Sequence, residues 1–318
     1  MSAPKSPRKG SLQFWPRKRA YKLLPSVNWN AIVSDSKKLK GFICYKVGMA
    51  SAYVKDNTEN SMTKGKKIAI PVTIVECPTM KILSVRFYKN GKVAKEIMAE
   101  NVDKELKNAI KIPKQKKGKI GEIKSDDAKN YDDIRIIVYS QVKKTNLKKT
   151  PDIIEIGISG NIEEKLDYIK NKLLREISVS EIFESGQVVD VRGLTKGKGL
   201  SGPVQRFGIT LKQHKSEKGR RRPGSLGPWH PARVTFRVPM AGQLGMFTRV
   251  VYNNKIIRIG KSDELNLKGL TNYGDVKTDY LILRGSIQGP QKRQLLITSP
   301  LRITKKQLKK KFDFLELR

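Results

Sequence analysis

Residues 191–237 follow no usable period of 2 or 3.6, and they carry 12 Lys and Arg, eight glycines and one acid, Glu217. A connection this long without regular structure is either functional or disordered. With one acid it cannot neutralise itself, so a fold that carries it has to present it to an external anion. The imbalance extends to the whole chain: 66 Lys and Arg against 29 Asp and Glu give a formal net charge of +37. Charge on this scale opposes compaction through self-repulsion. It becomes favourable when the chain binds a polyanion and displaces its condensed counterions. Nucleic acid is the partner of that chemistry. A membrane surface is the rival polyanion, but the sequence has no apolar run of about 18 residues, no signal-peptide apolar segment behind the N-terminus and no basic amphipathic helix with an aromatic face.

With 38% hydrophobic residues over 318 positions, there is material for one large or two ordinary domains. Residues 1–40 read as a basic extension: Arg17, Lys18 and Arg19 sit among Pro4, Pro7, Pro16 and Pro25, and no acid occurs before Asp35. Alone, such a segment is disordered. From Gly41 the chain is rich in β-branched and aromatic residues. Gly41–Val54, Lys67–Cys77 and Met80–Tyr88 read as strands, the last closed by the turn Asn90-Gly91. Residues 92–178 read as a separate α+β unit. It has Val102, Leu106, Ala109 and Ile110 at helical spacing and a basic loop with Lys111, Lys114, Lys116, Lys117 and Lys119. Buried strands follow at Ile134–Tyr139 and Ile153–Ile158, then a helix capped by Asn161 with Glu164 at its third position. Gln187–Val191 is a strand; after the basic stretch, strands resume at Val234–Val238, Arg249–Tyr252, Lys255–Ile259, Tyr280–Leu283 and Arg293–Thr298.

The plan is a β-rich α+β chain. Its body occupies 41–91 and 179–300, with 191–237 as a central finger; 92–178 is an inserted α+β domain and 301–318 a basic C-terminal tail. Strands on either side of the insertion have to meet, which points to a small closed β-barrel, because closure removes sheet edges.

Gly197-Lys198-Gly199-Leu200-Ser201-Gly202 has G-x-G-x-x-G spacing behind a strand. A dinucleotide site also needs a following helix and an acid about 20 residues on. Here Pro203 follows at once, Gly208 interrupts, and Arg222 stands where the acid belongs. A P-loop fails too: the segment from Gly193 to Lys198 is one residue short, and no Ser or Thr follows the lysine. The physics those motifs share remains. Glycines let backbone N–H groups approach phosphate, and Lys196, Lys198 and Arg206 add charge. Lys212, His214, Lys215, Arg220, Arg221 and Arg222 come next, and arginine favours bidentate phosphate contact and stacking. Trp229 lies between Pro228 and His230-Pro231 without local apolar company. It suits stacking on a base or filling an RNA crevice; docking back on the body is the alternative.

Catalytic chemistry finds little support. His214 and His230 are the only histidines and belong to no nucleophile or metal pattern. Asp126-Asp127, Asp132-Asp133 and Glu163-Glu164 lie in polar or helix-start contexts and read as solvated surface rather than general acid–base pairs. Cys44 and Cys77 are far apart in sequence with no C-x-x-C, which argues against a disulfide framework and a structural zinc motif. The chain reads as intracellular and reduced.

The segment from Phe183 to Arg206 resembles the signature of the universal large-subunit ribosomal protein family three (L-three). Phe183, Asp190, Gly193, Thr195, Gly197, Lys198, Gly199, Gly202 and Arg206 carry the resemblance. Gly10-Ser11-Leu12 with Pro16-Arg17-Lys18-Arg19-Ala20 looks like that family's archaeal and eukaryotic N-terminal tail, and Tyr45-Lys46-Val47-Gly48-Met49 is similar to its Tyr-Lys-Ala-Gly-Met. Gly227–Pro231 with Arg233 looks like its tryptophan-bearing finger, followed by Ala241-Gly242-Gln243-x-Gly245. The resemblance covers roughly residues 10–300. One departure is plain: Gly245-Met246-Phe247-Thr248-Arg249 stands where the family usually has Gly-Tyr-His-x-Arg. The last 18 residues match no family pattern.

The resemblance implies a barrel of the translation-protein type with an inserted α+β domain and long basic extensions. It implies a non-enzymatic role in the cytoplasm: early assembly onto large-subunit ribosomal RNA beside neighbouring ribosomal proteins, with tail and finger reaching toward the peptidyl transferase centre. No cofactor or small-molecule substrate is expected, beyond magnesium carried by RNA. RNA contacts are expected from the tail at Arg17, Lys18 and Arg19, from the body at Lys46, and from the finger base at Lys196, Gly197, Lys198, Gly199, Gly202 and Arg206. Further contacts are expected at Lys212, His214, Lys215, Arg220, Arg221 and Arg222, and at Trp229, His230, Arg233 and Arg249. The alternative is an RNA-modifying enzyme or assembly accessory factor using the same basic surface; it would need a cofactor loop or an acid–base pair.

Overall fold

The computed structural model describes residues 10–34, 38–100, 102–111, 130–173, 175–215, 218–265 and 267–318. In chain order its elements begin with β1 (Gly41–Asp56), β2 (Lys67–Cys77), β3 (Met80–Lys89), β4 (Lys92–Met98), β5 (Asp133–Ser140), β6 (Ile153–Gly157) and helix α1 (Ile162–Lys172). There follow β7 (Val188–Leu194), β8 (Leu200–Ser201), α2 (Pro203–Phe207), β9 (Gly242–Gln243), β10 (Thr248–Gly260), β11 (Asp279–Arg284), β12 (Gln294–Thr298), α3 (Lys305–Leu308) and β13 (Phe312–Leu317). The chain is β-rich with few helices. It divides into two compact units, one of residues 24–193 and 250–318, the other of residues 1–23 and 194–249.

In the first unit a seven-stranded sheet has the order β12-β7-β10-β11-β2-β1-β13, and β12 pairs with β1 as well. The length of β1 makes this possible. Its first residues pair with β12, from Gly41↔Thr298 to Tyr45↔Gln294. Its later residues pair on the same side with β13, from Ala52↔Leu317 to Asp56↔Phe312. Along its other side it runs antiparallel to β2 from Tyr45↔Glu76 to Lys55↔Lys67. The opening seven residues of β1 are all buried, as in strands covered on both faces.

A second sheet, β4-β3-β5-β6, carries α1. Leu166 and Ile169 of α1 share one apolar core with Phe87 and Ile136 of this sheet and with Phe42, Val191 and Ile297 of the larger one. The helix starts as its sequence dictates: the Glu164 carboxylate accepts from the Asn161 backbone N–H at 3.1 Å, one arm of a capping box. Asn90 and Gly91 turn β3 into β4 with φ of 51° and 72°, the left-handed pair of a two-residue hairpin.

Several expectations need correction. Met80–Lys89 pairs with β4 and β5 and not with the larger sheet, so the body's first block of strands ends before residue 80. Its apolar run showed that a strand exists, not which sheet takes it. The helical spacing at 102–110 gives only a 3-10 turn, Lys104–Asn108, with Leu106 buried; so short a run has too few bonds to offset nucleation. Val234–Val238 is not a strand: it turns, Val238 N–H donating to Thr235 O at 3.2 Å, with Pro239 next. Arg249–Tyr252 and Lys255–Ile259 are one strand, β10, which passes Asn253 at φ 56° without reversing. Phe312–Leu317, read as tail, is β13. Lys114, Lys116, Lys117 and Lys119 of the expected basic loop, and Asp126-Asp127, lie outside the described residues.

Candidate nucleic-acid interface

The second unit is built on backbone-to-backbone contact at the base of the basic stretch. Thr195 N–H donates to Phe247 O at 3.0 Å, Lys198 N–H to Leu244 O at 2.9 Å and Leu244 N–H to Gly199 O at 2.9 Å. β8 then pairs with β9 through Leu200↔Gln243 and Ser201↔Gly242. Gly245, at φ 77°, lies so close to Lys196 that an added Cβ would collide with its carbonyl oxygen. A Cβ on Gly197 would meet Met246 Cγ at 2.9 Å, whereas those on Gly199 and Gly202 would meet nothing within 4 Å. Of these signature glycines, Gly197 therefore serves packing; Gly199 and Gly202 face open space on the side where a Cβ would stand.

Arg206 closes this base. It projects from α2, whose five residues end at Gly208 in the left-handed region. Its Nε donates to Gln243 O at 3.0 Å and one terminal nitrogen donates to Met240 O at 2.9 Å. Burial holds its guanidinium below the usual arginine range, though an arginine stays charged. Sequence reasoning placed Arg206 at RNA; its bonds are those of a clamp joining the two sides of the finger.

The N-terminal tail packs on the same base. Ala20 N–H donates to Met246 O at 3.0 Å. Arg17 lies 4.3 Å above the Phe207 ring and donates to Arg206 O at 3.3 Å. Trp15 tilts against Phe236, ring centroids 5.3 Å apart, and Arg249 stacks over Phe14 at 4.4 Å. Phe247, the residue of the family departure, is 5.2 Å from the same guanidinium. Phe14, Trp15, Arg17, Phe247 and Arg249 with Lys18 line an open cavity of about 340 Å³. Phe14, Trp15 and Phe247 were missed as site members at the sequence level: single aromatics in irregular segments carry no period.

Further out, the backbones of Lys212 and Arg220 are tied by Lys212 N–H to Arg220 O at 3.1 Å, and Arg220 Nε returns to Lys212 O at 3.1 Å. His214, Lys215, Arg221 and Arg222 are exposed around this loop, as are Lys18, Arg19, Lys196, Lys198, His230 and Arg233. Trp229 is 88% exposed and forms a shallow concavity of about 290 Å³ with Leu226, Pro228, Pro231, Arg233 and Val234. It does not dock on an apolar surface.

Lys46, expected at RNA, is buried. It is 8% exposed, and its ammonium donates to Ile287 O at 2.7 Å and Gly289 O at 3.1 Å. Bonded to these two carbonyls, the Lys46 side chain braces their loop within the first unit.

The two units treat charge differently. In the first, Arg135 pairs with Asp133 at 2.9 Å and Glu155 at 3.1 Å, and Lys165 pairs with Asp133 at 2.6 Å. The second holds nineteen Lys and Arg and one acid, Glu217, and no carboxylate among its described residues. The charge of the second unit therefore has no internal counterpart among its described residues. Among the described residues no group of three or more His, Cys, Asp or Glu is placed to hold a metal, and no helix is long and apolar enough to cross a membrane.

The sequence matches the family model of ribosomal protein L3 over residues 1–315. It is 40% identical over 307 residues to large ribosomal subunit protein uL3 of Archaeoglobus fulgidus, covering 93% of this chain and 92% of that protein. It is 38% identical over 308 residues to uL3 of Methanocaldococcus jannaschii, with 93% and 91% covered. Against uL3 of Picrophilus torridus it is 39% identical over 317 residues, with 96% and 94% covered. The chain belongs to the ribosomal protein L3 family, a family of ribosomal proteins and not of enzymes.

Proposed function

We propose that this protein is a structural component of the cytoplasmic large ribosomal subunit, that it binds large-subunit ribosomal RNA through its N-terminal tail and finger, and that it joins the subunit early in assembly. The observation that carries this reading is the second unit: nineteen cations against one acid, with the base of the basic stretch fixed by the bonds of Thr195, Lys198, Leu244 and Arg206. Cations held in place neutralise phosphates and release counterions with less ordering cost than a free tail incurs. Exposed Trp229 supplies a stacking face. On this reading the finger tip lies toward the peptidyl transferase centre and performs no chemistry there. Neighbouring ribosomal proteins pack on the remaining surface, and the only metal involved is magnesium brought by RNA.

The double pairing of β1, with β2 on one side and β12 on the other, supports reading six strands of the larger sheet as a small closed barrel. The β4-β3-β5-β6 sheet with α1 is then the domain inserted into it.

The test is sedimentation of native extract through a sucrose gradient at moderate salt. Stoichiometric travel with the large subunit supports an integral component. Free protein, or protein stripped by modest salt, replaces it with the accessory-factor reading.

A further inference from the structure

The C-terminal segment lies outside every motif that carried the family resemblance, yet it is fixed in the first unit. Ser51 and Arg318 exchange backbone hydrogen bonds at 2.8 and 2.7 Å, and Asn57 N–H donates to Lys311 O at 2.9 Å. β13 lies along β1. The buried ammonium of Lys255 donates to Gln307 O at 3.2 Å and to Lys310 O. Arg284 stacks over Phe312 at 5.0 Å.

These bonds collect like charges. Arg302, Lys305, Lys306, Lys309, Lys310 and Lys311 fall within ten residues; Arg284, Lys310 and Lys311 crowd Lys255, and Arg284 and Lys306 crowd Lys310. The carboxylates at hand are committed. Glu59 pairs with Lys311 at 2.9 Å. Asp56 accepts from Thr58 N–H at 2.9 Å, Ser61 Oγ at 2.9 Å and Thr63 Oγ1 at 2.6 Å. Among the described residues Lys305, Lys306 and Lys309 pair with no carboxylate and are exposed. The crowding has a consequence: burial, Arg284, Lys310 and Lys311 hold the Lys255 ammonium below its usual range, and burial, Arg284 and Lys306 do the same to Lys310. A fold that packs cations together at this cost is relieved by an anion, and several phosphates spaced along a strand would satisfy a row of lysines better than one small ion.

We propose that residues 302–311, held over Lys255 and Arg284, form a second RNA-backbone contact, carried by the body and separate in sequence from tail and finger. It rests on the RNA-binding reading above and adds a site to it. The contact is made to phosphates, since Lys305, Lys306 and Lys309 present exposed ammoniums.

The test uses the full chain and transcribed large-subunit ribosomal RNA, with affinity followed against salt. Each neutralised phosphate contributes a slope of about −0.9 on duplex and about −0.7 on single strands. The triple variant K305Q/K306Q/K309Q removes three exposed charges that make no side-chain bond in the fold. The expected result is an unchanged melting temperature, a salt slope reduced by about 2 and a similar loss on RNAs of different sequence. The finger variant R220Q/R221Q/R222Q runs in parallel. An unchanged slope in the C-terminal triple beside a reduced slope in the finger triple overturns this inference and leaves the proposed function standing. Unchanged slopes in both overturn the two together. An unchanged slope with lost capture of a large-subunit protein makes the patch a protein interface and likewise overturns it.

Discussion

The ammonium of Lys46 lies 2.7 Å from the carbonyl oxygen of Ile287, inside the first unit. Its second acceptor, Gly289 O, belongs to the same loop, so one side chain of β1 fixes the approach to β12. Lys46→Met keeps the length and removes the donor, leaving two carbonyls unsatisfied. The expected loss in urea unfolding is about 2–4 kcal/mol, with the salt slope of RNA binding unchanged. A variant of normal stability that binds RNA less tightly would return Lys46 to the interface.

Arg206 and Gln243 make the corresponding relationship in the second unit, at 3.0 Å. Arg206→Lys retains the charge but loses the fork that reaches Gln243 O and Met240 O together. Limited proteolysis within 200–243 is expected to quicken several-fold while the unfolding midpoint of the body stays put. If charge alone matters, the lysine variant resists protease like the parent.

The sequence made some of this legible and hid the rest for identifiable reasons. β2 was readable to the residue because its β-branched run is bounded by a polar loop and by Pro78. The Asn161–Glu164 start of α1 was readable because a capping box is local. Lys46 was not: its acceptors come from a loop far along the chain, and nothing next to it in sequence announces them. β13 was hidden behind the basic run that precedes it, although Phe312 and Phe314 alternate as a half-buried strand should. In the candidate interface, charge was visible from composition alone. The pairing of Trp15 with Phe236 and of Phe14 with Arg249 joins segments far apart in the chain, and no short-range pattern encodes it.

Asp133 gives the acid limb of stability. Burial would raise its carboxyl, but hydrogen bonds from Lys165 and Arg135 outweigh burial and hold it below the usual aspartate range. The unfolded chain therefore takes up this proton more readily than the folded one. The stabilisation is present above about pH 4 and is lost as pH falls through the folded value. Asp133→Asn should cost about 1–3 kcal/mol near neutrality and flatten the decline in melting temperature below pH 4. Parallel declines in parent and variant would assign the acid limb elsewhere.

Trp229 separates stability from function. At 88% exposure its ring contributes little to the fold, so Trp229→Ala should shift the melting temperature by less than about 1 °C. Subunits carrying the variant should show altered chemical protection of RNA bases near the finger, because a stacking face worth about 1–3 kcal/mol per base has gone. Trp229→Phe should restore most of the protection. Equal protection in all three proteins would mean that the ring meets solvent or protein instead of a base.

Truncation after Lys311 tests what β13 does for the body. Phe312, Phe314 and Leu317 pack against the cluster of Val54, Val72, Ile257 and Tyr280, and Arg258 stacks over Phe314 at 5.0 Å. Removing them uncovers apolar surface and frees the side of β1 between Ala52 and Asp56, leaving unpaired N–H and C=O groups able to recruit another strand. The two losses have different signatures. Lost burial lowers the unfolding midpoint whatever the protein concentration. An exposed edge gives association that grows with concentration. Both are expected, in thermal melts and in light scattering. Replacing Phe312 and Phe314 by Thr in the full chain keeps the backbone pairing and should lower the midpoint without the association. If the truncated chain melts like the parent and stays monomeric, β13 is dispensable to the fold, and the basic segment before it would then need another anchor to hold its lysines together.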